Sequence, residues 1–410
     1  MSDYPLIRSP EELEAVASRL SQERQIAVDT EADSLFHYFD KLCLLQISAD
    51  CGTFLIDPLA LPKGGLAPLE PILSSSRIRK IFHAADYDLY VLQRYGGIKL
   101  RNVFDTMVSA QLLGYPAVGL AALVERHFGV HLSKEYQRTD WSRRPLKPAQ
   151  VDYAASDVLY LIELSRRLEE ELREKKRLSW AREEFLALEE RIWPEREFDR
   201  KGYLKIKGVS KLTPRGLAVL RELFLMRDKR ARVLDRPPFR VLGNGTLLDL
   251  AQRPPKSRRA LKGRKGITEL VARRLGTPIL EAVARGLEGP EHPPPERKAK
   301  GTGRKRLDRG GEQRREVLKR WRGAHADELE LDPGVFCPNA VLEEIAAADP
   351  KEPADLEKLQ LKRWWIRAFG REVLRALKAN EKPEAESGRA AASPGNGHAR
   401  RTRSRRRPRS

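Results

Sequence analysis

The strongest constraint on the fold of this chain is the pattern of its N-terminal part. Short runs of Val, Ile, Leu and Phe alternate there with longer stretches of helical periodicity. RQIAVDTEA (24–32), KLCLLQISAD (41–50), GTFLIDP (52–58), RKIFHA (79–84) and NVFDT (102–106) have the length and residue types of strands. Gly52 lies in a short polar break between two of them, which predicts a hairpin. Helical stretches fall near 10–22, 67–75, 86–96, 105–113 and 119–128. This interleaving predicts an α/β layered domain with a mixed sheet.

The pattern then changes. Val151, Ala154, Ala155, Val158, Leu161, Ile162, Ser165 and Leu168 follow i, i+3, i+4, i+7 spacing and predict one strong helix over 148–177. Charge-rich helical sequence continues to Ile192, and Pro194 interrupts it. Residues 213–288 read as compact and all-helical, opening on a Thr213 N-cap with Pro214 at the first helical position. Arg236-Pro-Pro-Phe ends one helix, and short helices follow near 246–252 and 267–287. Residues 313–379 form a second small helical unit. The expected division is 1–200, 210–289, a basic linker at 290–312, 313–379, and a disordered Arg-rich tail at 380–410 that has no means of building a core.

The 410 residues carry a net charge of +20, and two short stretches account for most of it. Residues 297–309 and 389–409 together contribute +14, whereas residues 1–150 sum to −1. Such basicity points to a polyanionic partner, nucleic acid before anionic membrane. The tail has no interleaved apolar residues, which argues against a membrane-surface role. Three scattered cysteines with no CxxC pair make a disulfide framework or zinc ribbon a poor fit and suit a reducing compartment. The N-terminal MSDYPLIRSPEELEA does not read as a signal peptide, so none is expected, and no apolar run is long enough to span a bilayer as a helix. A cytoplasmic, monomeric protein is expected.

Within the near-neutral N-terminal part, certain acids are placed to suggest chemistry. Asp29 and Glu31 are two apart on a strand, so both carboxylates project from one face at its C-terminal end. Two hard oxygen ligands side by side suit Mg²⁺ or Mn²⁺, although an Asp-x-Glu pair on its own is more often a cap or loop pair. Asp86 and Asp88 fall at the start of a helix after the strand RKIF. Asp86 fits a capping role, and Asp88 is the candidate for the site. Tyr153 and Asp157 are four apart and share one helix face, which otherwise should be apolar; the alternative is a purely structural Tyr–Asp pair. His83 reads as a satisfied buried histidine, and His127 and His131 as structural, because their HxxxH spacing has no third ligand.

Each motif alone is weak; their order is specific. DTE, then HAADYDL, then DYAASDV resembles the DEDD exonuclease superfamily, and more closely ribonuclease D. QRTDWSRRPLKPAQVDYAASDVLYLIEL (137–164) and VFDTMVSAQLLGY (103–115) are similar to that family throughout. Tyr153 stands four residues before the last Asp, as in the family's tyrosine subclass; the histidine subclass has His where Asp152 stands. Residues 213–288 resemble an HRDC domain, a small helical nucleic-acid-binding module, and 313–379 look like a divergent second copy.

The resemblance implies a ribonuclease H-like exonuclease fold followed by two HRDC-like domains. It implies a 3′→5′ exoribonuclease with catalytic residues Asp29, Glu31, Asp88, Tyr153 and Asp157. The four carboxylates would hold two divalent metal ions, Asp29 bridging them, Glu31 and Asp157 on the water-activating ion, Asp88 supporting the other, and Tyr153 orienting the attacking water. The substrate would be RNA with a free 3′ end, tRNA precursors among them. DNA hydrolysis by the same chemistry, or a non-catalytic nucleic-acid scaffold, are the competing readings.

Substrate contacts are proposed by residue type. Arg143, Arg144 and Lys147, just before the last motif, are candidates for backbone phosphates, the alternative being a solvated turn. Phe36, His37 and Tyr38, just after the first, are placed to stack on terminal bases or to staple their loop onto the domain. The Arg-rich tail should add salt-dependent affinity. Deleting 380–410 is therefore expected to weaken RNA binding and flatten its salt dependence. Turnover of a short saturating substrate should stay nearly unchanged, and equal loss on short and long RNA would refute this role.

Overall fold

The structure is a computed structural model that describes residues 4–194, 197–292 and 307–379. Most of the expected basic linker and the whole expected tail lie outside the described residues.

The chain opens with β1 (Leu6–Ile7) and α1 (Pro10–Leu20), whose start is fixed by a Ser9–Glu12 capping box. There follow β2 (Gln25–Ala32), β3 (Leu42–Ala49), β4 (Gly52–Ile56), α2 (Glu70–Leu73), β5 (Arg79–Phe82), α3 (Asp86–Gly96), β6 (Val103–Asp105), α4 (Thr106–Leu113) and α5 (Leu120–Phe128). The six strands form one mixed sheet in the order β1-β4-β3-β2-β5-β6. β2, β3 and β4 run antiparallel, while β1 on β4, β5 on β2 and β6 on β5 are parallel. Gly52 closes the β3–β4 hairpin at φ +136°, a conformation that disfavours any side chain.

The predicted helix over 148–177 is divided. α6 (Pro148–Leu159) ends at Tyr160, and α7 (Leu161–Glu174) starts beyond it. Two different surfaces explain the break. Ala154 and Ala155 of α6 pack on Leu44 and Leu55 of the antiparallel strands. Leu161, Leu164 and Leu168 of α7 pack against Ala27, Ile81 and Phe104 toward the parallel side. A single apolar periodicity cannot report that change of direction. α8 (Leu178–Glu189) completes this half. On the opposite face of the sheet, Leu13, Val16 and Leu20 of α1 and Leu89, Val91 and Leu92 of α3 cover Ile26, Val28, Leu45 and Ile47.

The remaining helices form two groups. α9 (Pro214–Val233), α10 (Pro238–Val241), α11 (Asn244–Gln252) and α12 (Glu269–Glu288) enclose a core of their own, built around Leu217, Leu220, Leu247, Ile279 and Val283. α13 (Arg309–Glu328), α14 (Pro333–Phe336), α15 (Asn339–Ala348), α16 (Pro353–Glu357) and α17 (Arg363–Ala379) do not. Their buried Trp321, Phe336, Trp364 and Phe369 are continuous with Phe104, Leu161 and Phe185 of the sheet-containing half. Among the described residues, no helix is long and apolar enough to cross a membrane.

Candidate active site

The position of the site follows from strand lengths. β5 pairs with only the first part of β2, setting Gln25, Ile26 and Ala27 against Arg79, Lys80 and Ile81. Asp29 and Glu31 thus project beyond the end of β5, into the gap where α3 begins. A crevice beyond the carboxyl ends of parallel strands is where α/β sheets place their ligands.

Three helix and strand registers converge on this gap. Asp29, Glu31 and Asp157 each offer a carboxylate oxygen within 4.8 Å of the other two. Asp157 arrives from α6, and the Tyr153 hydroxyl, one turn earlier, donates to it. Asp88, in the first turn of α3, accepts a 2.6 Å hydrogen bond from Thr30 Oγ1. Thr30 lies between Asp29 and Glu31 on β2 and points to the opposite face, so it ties the third acid to the strand that carries the first two.

The electrostatics are those of crowded like charges. Burial, then the carboxylates of Asp88, Asp157 and Glu31, holds the Asp29 carboxyl well above its ordinary range. Burial and the neighbouring Asp157 and Asp88 do the same to Glu31. Burial pushes Asp88 and Asp157 up to about 7, against the opposing hydrogen bonds from Thr30 and Tyr153. Tyr153 is also raised, by burial and then by Asp157, Glu31 and Asp29, so its hydroxyl keeps its proton at neutral pH. Among the described residues, no Lys, Arg or His forms an ion pair with any of the four acids. Four hard-oxygen ligands, Asp88 buried and the other three partly so, without a counter-charge among the described residues, fit divalent cations such as Mg²⁺ or Mn²⁺.

The supporting shell includes residues that motif reading missed. Asp105 is 1% exposed and caps α4 by accepting from the amides of Met107 and Val108. It also accepts from the amides of Ala84 and Ala85. Ala84 has φ +64°, so Asp105 fixes the strained turn that delivers α3 and Asp88. The sequence signal for it was a strand-to-helix Asp-Thr, an N-cap pattern. Asp86, expected to cap α3, sits in the first turn and pairs instead with Arg191. His83 is pushed down to about 4 by burial and bonds Thr106 Oγ1 at 2.9 Å. His127 bonds the Tyr115 hydroxyl.

The residues proposed for substrate contact are arranged differently from one another. Arg143 has an exposed side chain near Asp140, and Lys147 is exposed at the start of α6. Arg144 departs from the expectation of a phosphate contact. Its guanidinium makes two 2.6 Å bonds to the buried Asp57 and also reaches the carbonyls of Cys43 and Trp141. Phe36, His37 and Tyr38 take the stapling alternative rather than standing free to stack. Arg240 covers the Phe36 ring at 4.4 Å. His37 bridges Asp235 at 2.7 Å and Ser142 at 3.0 Å, while Tyr38 donates to Asp228 at 2.7 Å. This loop therefore fastens the α9–α12 unit to the edge of the site.

Comparison with known proteins agrees with this architecture. Residues 4–173 match the family described as 3′-5′ exonuclease, and 216–283 and 311–377 each match the HRDC domain. Ribonuclease D of Granulibacter bethesdensis is 32% identical over 388 residues, covering 92% of this chain and 93% of that one. Ribonuclease D of Zymomonas mobilis is 35% identical, over 69% of this chain and 73% of its own length. A Caenorhabditis elegans exosome complex component 10 homolog is 36% identical over 62% of this chain, which spans only 30% of that protein. The structure of Escherichia coli RNase D, an exoribonuclease involved in structured RNA processing, superposes with a TM-score of 0.63 at 25% identity, over 93% of this chain and all of that one. The catalytic core of RRP6 from Trypanosoma brucei superposes with a TM-score of 0.63 at 30% identity, over 70% of this chain and 82% of that one. A correspondence that runs nearly the full length of both chains at 32% identity, with the same domain series, settles the assignment: the chain belongs to the ribonuclease D family and is a 3′→5′ exoribonuclease.

Proposed function

We propose that Asp29, Glu31, Asp88 and Asp157 hold a pair of divalent cations, Mg²⁺ or Mn²⁺, and that the site removes nucleoside 5′-monophosphates one at a time from RNA 3′ ends. The observation that carries this reading is the cluster of three carboxylates within 4.8 Å, with which no Lys, Arg or His among the described residues forms an ion pair. When bound, two such ions supply an activated water and Lewis-acid stabilisation of the leaving 3′-oxygen. The chain's own residues do the rest. Asp29 and Glu31 are presented by a strand that β3 pairs from Ala27 through Glu31. Asp88 is fixed through Thr30. Tyr153, protonated at neutral pH, orients the attacking water by hydrogen bonding and does not act as its base. Arg143 and Lys147 contact phosphates upstream of the scissile bond, and Arg144 shapes the segment that carries them.

The substrates in this reading are tRNA precursors and other structured RNAs. Residues 1–200 form the exonuclease unit, 210–289 and 313–379 the HRDC-like units, and 290–312 and 380–410 the basic segments. The protein works as a cytoplasmic monomer and discriminates RNA by contacts to the 2′-hydroxyl.

The test is a 5′-labelled single-stranded RNA incubated with the full chain and Mg²⁺ or Mn²⁺, beside an EDTA control and the matched DNA. A ladder shortening from the 3′ end, absent with EDTA and stronger on RNA, is the expected result. Equal shortening of the DNA would favour the DNA exonuclease. Tight RNA binding with no shortening in either ion would sink the catalytic reading.

A further inference from the structure

Gln46 lies in the middle of β3 and is 0% exposed. Among the described residues, neither Oε1 nor Nε2 of its carboxamide has a hydrogen-bond partner. Burying an amide without partners is costly, and native interiors rarely tolerate it without a reason. A Leu or Met would fill the same space at no such cost.

The register identifies the nearest candidate for a partner. Gln46 stands directly opposite Asp29 of β2 and Leu55 of β4. Residues directly opposite in an antiparallel pair project to the same face, with Cβ atoms about 5 Å apart. Leu44, opposite Glu31, and Leu55 pack beneath Ala154 and Ala155 of α6. The Gln46 side chain therefore enters the layer between the sheet and the helix that carries Tyr153 and Asp157. Its two cross-strand neighbours there are an apolar leucine and the Asp29 carboxylate.

We propose that Gln46 is a positioning residue of the metal centre, whose Nε2 group donates to the Asp29 carboxylate when Asp29 engages cations. The inference rests on the two-cation reading above. If Asp29 helps to hold the cations, its carboxylate would have to be fixed in direction, and a donor behind it would fix it. A carboxamide supplies the donor without adding charge to a site that already holds four acids. The rival role is purely structural, with Gln46 Oε1 serving another buried group such as Trp141 Nε1, which also lacks a partner.

The experiment uses the full chain and Gln46→Met. Three quantities are read: Tm in EDTA, the Tm rise on titration with Mn²⁺, and the Mn²⁺ concentration for half-maximal exonuclease activity. We expect Gln46→Met to melt in EDTA at or above wild type. It should need roughly 10–100 times more Mn²⁺ for both the Tm rise and activity, with activity largely restored at saturating Mn²⁺. An unchanged Mn²⁺ requirement, whether or not the EDTA Tm falls, overturns the proposal and leaves Gln46 structural. Should Gln46→Met fail to fold, Gln46→Asn keeps the donor and shortens its reach; an unchanged Mn²⁺ requirement in that variant overturns the proposal equally. If wild type shows no Tm rise with Mn²⁺, the two-cation reading itself fails and this inference falls with it. A wild-type response shared by Gln46→Met overturns the inference alone.

Discussion

Asp29→Asn is expected to lower exonuclease turnover by on the order of 10³-fold or more, since metal-assisted hydrolysis draws several kcal/mol from its ions, while raising the Tm of the cation-free protein. The two effects have one origin. Asp29 is the acid most hemmed in by other acids, with Asp88, Asp157 and Glu31 all raising it beyond what burial does. The neutral amide keeps the shape and removes the repulsion, yet gives up the charge that would hold a cation. The pH dependence has a definite sign. Asp88 and Asp157 lie near 7 in the folded chain, whereas unfolded aspartates titrate near about 4. Between those values the folded chain holds more protons than the unfolded one, so stability in EDTA is full below about pH 4 and falls as pH rises toward about 7. The stabilisation by Mn²⁺ should grow over the same interval, because cations bind the ionised acids. Calorimetry of both proteins from pH 5 to 8, with EDTA and with Mn²⁺, checks this. A flat wild-type Tm in EDTA, or an Asn variant that keeps its Mn²⁺ response, would contradict the account.

What was legible from spacing, because it is local, is the pairing of these acids within single elements; that the pairs belong to one site came only from the order of their motifs, which resembles a known family. Period two places Asp29 and Glu31 on one strand face, and i, i+4 spacing places Tyr153 and Asp157 on one helix face. The mixed sheet was legible for the same reason, from short apolar runs set between helical stretches. What depends on a distant partner was not legible. Gln46 reads as one polar residue in an apolar strand, and only the register opposite Asp29 gives it meaning. His37 reads as a loop histidine; its bond to Asp235 joins residues 198 positions apart. Arg144 sits in a run of basic residues, and nothing local shows that the buried Asp57 will claim it. The break at Tyr160 is of this kind too, since it comes from the two surfaces that α6 and α7 meet.

Trp364→Ala is expected to unfold the catalytic half of the molecule with it, which a separately folded last domain would not do. Trp364 is 1% exposed and stacks on Trp180 of α8 with ring centroids 4.6 Å apart. Its backbone N–H donates to Glu183 and its Nε1 to Glu184, at 2.8 and 2.7 Å. Lys362 and Arg367 pair with the same two glutamates. A second joint lies nearby. Arg177, 6% exposed, donates both to the carbonyl of Leu112 in α4 and to that of Leu329 at the end of α13. Gly114 meets the Glu330 carbonyl so closely that a Cβ there would stand 1.9 Å from it. The seam is thus packed and hydrogen-bonded like a domain interior, and large-to-small changes in such interiors cost about 3–5 kcal/mol for tryptophan. For a cooperative unit of this size that corresponds to a Tm fall of roughly 6–20 °C. The α9–α12 unit has its own core, and its contacts to the catalytic half include polar bonds that Asp235 accepts from the His37 ring and from the amides of Tyr38 and Phe39. Its transition should therefore stay where it is. Scanning calorimetry of the full chain separates the cases: one lowered transition beside one unmoved supports the shared core, whereas loss of a small transition alone, with the catalytic half melting as in wild type, would show that the last helices fold apart from it.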